Sequence, residues 1–154
     1  MRILVVDDYE PWRRFVSSTL RKQPNLQVIC EVSDGLEAVQ KAQELQPDLI
    51  LLDIGLPKLN GIEAAKRIYG LSPRSKMLFI SQETSADIVE EALATGAKGY
   101  VVKTDERSEL VNAVEAVLRG ETYVSSKCAA REARKASDSK DSQGVSITQG
   151  RALR

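Results

Sequence analysis

Three aspartates, a serine and a lysine stand at the ends of short apolar runs, and together they make one kind of chemistry available. Asp7 and Asp8 follow ILVV (3–6), Asp53 follows LILL (49–52), Ser81 follows MLFI (77–80) and Lys103 follows YVV (100–102). Carboxylates gathered in one place repel one another, and at neutral pH they take up a proton or bind a cation. Oxygen ligands with no His or Cys among them suit a hard ion: Mg2+, Mn2+ or Ca2+. With Mg2+ the charge closes, because −3 from the acids, +2 from the ion and +1 from Lys103 come to zero. A site so neutralised can accept a phosphoryl group, and Ser81 offers a hydroxyl to one of its oxygens. The chain has no histidine. That removes His-based acid–base catalysis, His-ligated zinc and Ser-His-Asp triads together.

These residues matter as a set only if the fold brings them to one place, and the hydrophobic pattern says that it does. Five apolar runs recur, LQVICEV (26–32) being the second in order after ILVV. Four of the five are mostly unbroken by polar residues, as expected of strands covered on both faces. After each comes helical spacing: Phe15, Val16, Thr19 and Leu20; Leu36, Val39, Ala42 and Leu45; Ile62, Ala65 and Ile68; Ile88, Val89, Ala92 and Leu93; Leu110, Val114 and Leu118. Pro11 suits a first helical turn, and Gly96 and Gly120 fall where helices end. Five strand–helix units in about 120 residues predict a doubly wound α/β fold with a parallel sheet. In such sheets the C-terminal strand ends share one edge, where ligands bind. Only the second strand ends there without an evident functional group, in Ser33-Asp34.

Taken singly, each residue has a plainer explanation. A lone Asp after a strand is most often a helix N-cap or turn former, and Asp8 ahead of Pro11 fits that role. A lone Lys or Ser at a strand end is most often a solvated charge or a turn residue. The joint placement and complementary charge outweigh these explanations for the set. Asp53 resists them best, because the run before it fixes its position. Cys30 reads as a small buried apolar residue, and Trp12 and Phe15 as packing on a helix face.

Composition bounds the rest. The 154 residues carry 22 basic and 22 acidic groups, so no overall field points to nucleic acid or membrane. Residues 126–154 nevertheless hold seven basic groups against three acidic, a charge of +4 that leaves −4 on residues 1–125. The two cysteines lack metal-site spacing, and Ile3–Val6 is too short for a signal peptide or membrane span, so a reducing cytoplasm is the expectation. Residues 123–154, rich in Ser, Lys, Arg, Ala and Gln, read as a linker or disordered tail. KCAAREARKA (127–136) could extend as a short helix with no face to bury.

The pieces ILVVDD, PDLILLDIGLPKLNGIEAAKRI, MLFIS and GAKGYVVK, in this order and spacing, resemble the receiver domain of bacterial two-component response regulators over residues 1–122. EALATGAKGYVVKT and ETYVS are most similar to receivers that precede a LuxR-type helix-turn-helix domain. The resemblance implies a (βα)5 flavodoxin-like three-layer sandwich with strand order 2-1-3-4-5. It implies that Asp53 is the phosphoacceptor for a partner sensor histidine kinase. Asp8 would be a direct Mg2+ ligand, Asp7 would act nearby through water, and the Gly55 backbone carbonyl would complete the protein's share. Lys103 would pair with the phosphoryl group, Ser81 would be the switch hydroxyl and Tyr100 the switch aromatic. Phosphorylation would draw Ser81 inward, let Tyr100 move toward the core and alter the face of helix 4, strand 5 and helix 5, with a homodimer as one outcome.

Such a receiver is not an enzyme on a separate substrate; it catalyses only its own phosphorylation and dephosphorylation. Gly55, Gln82 and Glu83 depart from or vary within the pattern near the site and leave the phosphoryl lifetime open. A DNA-binding domain needs roughly sixty residues with a core of its own, more than the residues after Ser125 provide. DNA contact is therefore expected only through an output domain outside this chain. The alternatives are a stand-alone receiver acting through protein contacts and a phosphorylation-independent interaction module.

Overall fold

A computed structural model describes residues 1–104, 106–126 and 128. Eleven elements follow one another among them: β1 (Arg2–Val6), α1 (Glu10–Arg21), β2 (Gln27–Val32), α2 (Gly35–Leu45), β3 (Leu49–Leu52), α3 (Gly61–Leu71), β4 (Lys76–Ser81), α4 (Ala86–Leu93), β5 (Gly99–Val102), α5 (Arg107–Leu118) and β6 (Tyr123–Val124). The strands form one parallel sheet in the order β2-β1-β3-β4-β5-β6. The five strands predicted from the pattern take the expected 2-1-3-4-5 order.

Side chains alternate across each strand, so one apolar run serves two cores. Leu4, Val6, Ile50, Leu52, Met77, Phe79 and Tyr100 face α2, α3 and α4. Ile3, Val5, Leu49, Leu51, Leu78, Ile80 and Val101 face α1 and α5. This is why the central runs contain no polar residue: neither face meets water. All four residues of β3 are at most 1% exposed. At about 1.5–3 kcal/mol per buried aliphatic side chain, their gross burial is on the order of 6–12 kcal/mol. That anchors the residue that follows them, Asp53.

The sheet also takes in residues that the sequence pattern assigned to the tail. Tyr123 and Val124 pair with Gly99 and Tyr100 and are buried. Ser125 donates its backbone N–H to the Tyr100 carbonyl at 2.9 Å, and its Oγ accepts from Val102 N–H at 2.9 Å. Cys128 is 1% exposed and belongs to the core beside Tyr100, so at least this residue of the expected faceless segment does bury. Two strand residues are too few for a periodicity to register. The rest of the expected helix at 127–136, and the tail from 129 on, lie outside the described residues.

Two smaller expectations also change. Leu36 is 47% exposed; α2 buries Ala42 as expected, with Ala38 rather than Leu36 beside it. Cys30 is only partly buried, because β2 is an edge strand. No helix among the described residues is long and apolar enough to cross a membrane.

Candidate functional site

Register places the acids side by side. Val6 pairs with Leu52 across β1 and β3, so Asp7 and Asp53 leave the sheet together. Asp53 N–H still donates to the Val6 carbonyl at 3.2 Å, and Asp7 N–H to the Val32 carbonyl at 3.1 Å. On the other side, Lys103 N–H donates to the Ser81 carbonyl at 2.8 Å, which fixes the root of the lysine at the end of β4. From there its side chain reaches back across the edge. Lys103 Nζ stands 3.0 Å from Asp53 Oδ2 and 2.9 Å from Asp7 Oδ2.

Local hydrogen bonds fix each carboxylate in turn. Asp53 Oδ1 accepts the Ile54 N–H at 2.7 Å while Oδ2 meets the lysine, so both oxygens are oriented. Asp7 Oδ1 accepts the Tyr9 N–H at 2.9 Å, next to the start of α1. The helix-capping position belongs to Tyr9, which makes no side-chain cap, so Asp8 does not serve as the N-cap its sequence setting allowed. It is exposed, and oxygens of Asp7, Asp8 and Asp53 lie within 4.8 Å of one another.

Three carboxylates facing one ammonium leave the edge with an excess of two negative charges when all are ionised. Of the three, Asp7 is the most buried, at 3% exposed. Burial raises its pKa above the ordinary carboxylate value, against the hydrogen bond and charge of Lys103, and the Asp53 charge raises it further. Burial alone would lower the Lys103 pKa; the Asp7 hydrogen bond and the Asp53 charge outweigh it, so the ammonium is held above its usual value. Both directions say that this edge wants more positive charge.

The remaining predicted residues gather around a cavity of about 290 Å3 lined by Asp53, Gly55, Ser81, Gln82, Glu83 and Lys103, among others. The volume accommodates a phosphoryl group over Asp53. Ser81 is 2% exposed, and its Oγ accepts the Glu83 N–H at 3.2 Å. Tyr100 is fully buried, its ring centroid 6.2 Å from that of Phe79, and its hydroxyl donates to the Glu83 carbonyl at 2.8 Å. Burial pushes its pKa up to about 12, against a hydrogen bond with Ser81. Tyr100 thus already stands in the inward position. Asp34, at the end of β2, lies outside this group: it caps α2 by accepting the Glu37 N–H at 2.7 Å.

Three supporting residues carried no functional signal in the sequence. A Cβ on Gly61 would come within 1.9 Å of the Asp53 carbonyl oxygen, so only glycine lets α3 start against the acid's own backbone. Arg13 donates to the Asp7 carbonyl at 2.7 Å. Trp12 places its ring 5.6 Å from Lys103 Nζ. Trp12 was legible as packing on a helix face, but that does not say what else the ring will touch.

A family model described as the response regulator receiver domain matches residues 3–115. The chain belongs to that family. Among curated relatives, the transcriptional regulatory protein LiaR of Bacillus subtilis is 36% identical over 131 residues, which is 85% of this chain and 62% of that protein. The transcriptional regulatory protein DegU of Brevibacillus brevis is 34% identical over 80% of this chain and 52% of its own. The receiver chain therefore spans about half to three fifths of the length of these relatives. Among solved structures, a two-component response regulator of the LuxR family from Aurantimonas sp. aligns with a TM-score of 0.83 at 31% identity, covering 87% of this chain and 96% of that one. A CheX–CheY–BeF3–Mg complex from Borrelia burgdorferi aligns with a TM-score of 0.72 at 27% identity, covering 76% and 88%. Receivers of the LuxR-family kind are what this chain is similar to.

Proposed function

We propose that this receiver takes a phosphoryl group from the phosphohistidine of a partner sensor kinase onto Asp53. The carrying observation is the Asp53 carboxylate itself, held by Ile54 N–H on one oxygen and Lys103 on the other, at the floor of an open cavity. An Asp53 oxygen attacks phosphorus in line; the P–N bond breaks and the donor imidazole leaves with the bond pair. Lys103 follows the charge from the carboxylate to the phosphoryl oxygens.

The donor set fits Mg2+: hard oxygens only, three of them within reach of one ion, and an excess negative charge that the ion would cancel. Asp7, Asp8 and Asp53 would hold it, with the Gly55 carbonyl, and it would supply charge neutralisation for the entering phosphoryl group. The presence of Mg with BeF3 in the related CheX–CheY complex supports Mg2+ as the ion.

Ser81 and Tyr100 form the switch. The Ser81 hydroxyl turns from Glu83 N–H toward a phosphoryl oxygen, and the inward Tyr100 hydroxyl holds the Glu83 carbonyl, keeping the β4–α4 connection in one arrangement. The face of α4, β5 and α5 reports this state, with homodimer formation as its readout. The chain is not an enzyme on a separate substrate, works in the cytoplasm, and drives transcription through a DNA-binding output segment of the kind its relatives' regulatory names support.

The test is acetyl phosphate with Mg2+, read by intact mass. A gain of one phosphoryl group is expected, and none in Asp53→Asn or with EDTA. A wild-type protein that stays unmodified under both acetyl phosphate and phosphorylated kinase would sink the proposal.

A further inference from the structure

We infer that Trp12 is a positioning residue for Lys103, holding its ammonium at the carboxylate edge through the indole face. The inference rests on the phosphoacceptor reading of the site and adds a residue to it.

Four groups line up between α1 and the β5–α5 connection. Lys103 Nζ lies 5.6 Å from the Trp12 ring centroid. The Trp12 and Phe15 centroids are 4.9 Å apart, tilted by 35°. The Arg107 guanidinium carbon lies 4.8 Å from the Phe15 ring, and Arg107 Nη1 donates to Thr19 Oγ1 at 3.0 Å. Lys103 directly follows β5 and Arg107 begins α5. Residues 103 and 107 are therefore each held by a cation on one ring of a tilted aromatic pair, one helical turn apart on α1.

The chemistry of the site makes such a support useful. A lysine side chain is long and flexible, and here it must serve two acceptors at 2.9 and 3.0 Å and then a third on the phosphoryl group. A hydrogen-bonding partner on its fourth side would pull it toward one direction. An aromatic face attracts the ammonium with little directional demand, so Lys103 can move between acceptors without leaving it. The indole also covers one side of the charge: the Lys103 side chain is only 12% exposed. A space of about 10 Å3 that Trp12, Asp7 and Asp53 line together with six aliphatic side chains of the core has room for no more than one water.

The experiment measures phosphorylation of Asp53 by acetyl phosphate, in which phosphorus passes from the acetyl oxygen to the carboxylate and acetate leaves. Trp12→Leu should lower the rate at saturating donor about 3- to 30-fold, the span of a partly buried cation–π contact, and leave the half-saturating concentration unchanged. In a Lys103→Ala background, Trp12→Leu should cost nothing further, because its effect passes through the lysine. The chain contains one tryptophan, so biosynthetic fluorotryptophans change that ring's electrostatics without changing its shape. The rate should fall stepwise with fluorine number, a readout that holds even where the leucine variant folds poorly. An equal loss in both backgrounds, or a flat fluorine series in a protein that is phosphorylated normally, overturns the role of Trp12 and leaves the acceptor reading standing. A wild-type protein that takes no phosphoryl group overturns the acceptor reading itself.

Discussion

The C-terminal strand edge and the outer faces of the helices use the same residue types in opposite ways. On the helices, acids and bases come in matched pairs in water: Lys66 with Glu63 at 3.0 Å and Arg14 with Glu10 at 3.0 Å, each side chain about half exposed or more. At the strand edge one lysine serves a buried aspartate, Asp7, and a part-buried one, Asp53, with a third acid beside them. The matched pairs need nothing more. The edge is left unbalanced, and the imbalance, rather than the presence of charge, marks the functional part of the molecule.

The contrast breaks most sharply at Lys103. In Lys103→Met, with EDTA present, stability measured by urea unfolding should fall by about 1–3 kcal/mol, limited because Asp7 can take up a proton in place of its partner. Mg2+ should bind the same variant more tightly than wild type, since a competing cation has gone. A weaker effect is expected at Asp7. Its folded-state pKa is raised above 3.8, so the stability linked to it is fully present below that pH and is lost as pH rises through the folded value. Asp7→Asn, which mimics the protonated form, should therefore be more stable than wild type at neutral pH in EDTA. The two should converge on acidification below 3.8, as urea melts at each pH would record. On the helix surface, Lys66→Ala should cost only about 0.2–0.5 kcal/mol and leave Mg2+ binding untouched. Equal losses at Lys66 and Lys103 would erase the distinction between the two regions.

How much of this could be read from sequence follows the same division. LILL ahead of Asp53, and ILVV ahead of Asp7-Asp8, fix both strand and acid because the apolar run must be buried on two faces and the charge that follows must leave the core at its end. The gathering of Asp7, Asp53, Ser81 and Lys103 was legible for that reason: parallel strands share an edge whatever the packing details. What stayed hidden depends on contacts between elements. Trp12 carried the spacing of a packing residue and is one, resting on the core beneath α1; its second contact, with Lys103, comes from how α1 meets the β5 end. Leu36 fitted the same helical stripe as Ala42, yet α2 buries Ala42 with Ala38, where small side chains let the helix approach the sheet, and leaves Leu36 exposed. Tyr123 and Val124 were too short a run to count as a strand; pairing with β5, burial in the two cores and the bond from the Tyr123 hydroxyl to Glu109 hold them.

The most direct measurement asks which of the three acids accepts the phosphoryl group. After reaction with acetyl phosphate and Mg2+, borohydride reduction converts an aspartyl phosphate to homoserine, and tandem mass spectrometry locates it. Homoserine is expected at position 53 alone, dependent on Mg2+ and lost in Asp53→Asn. Homoserine at position 7 or 8, or none at all in protein that binds Mg2+, would contradict it.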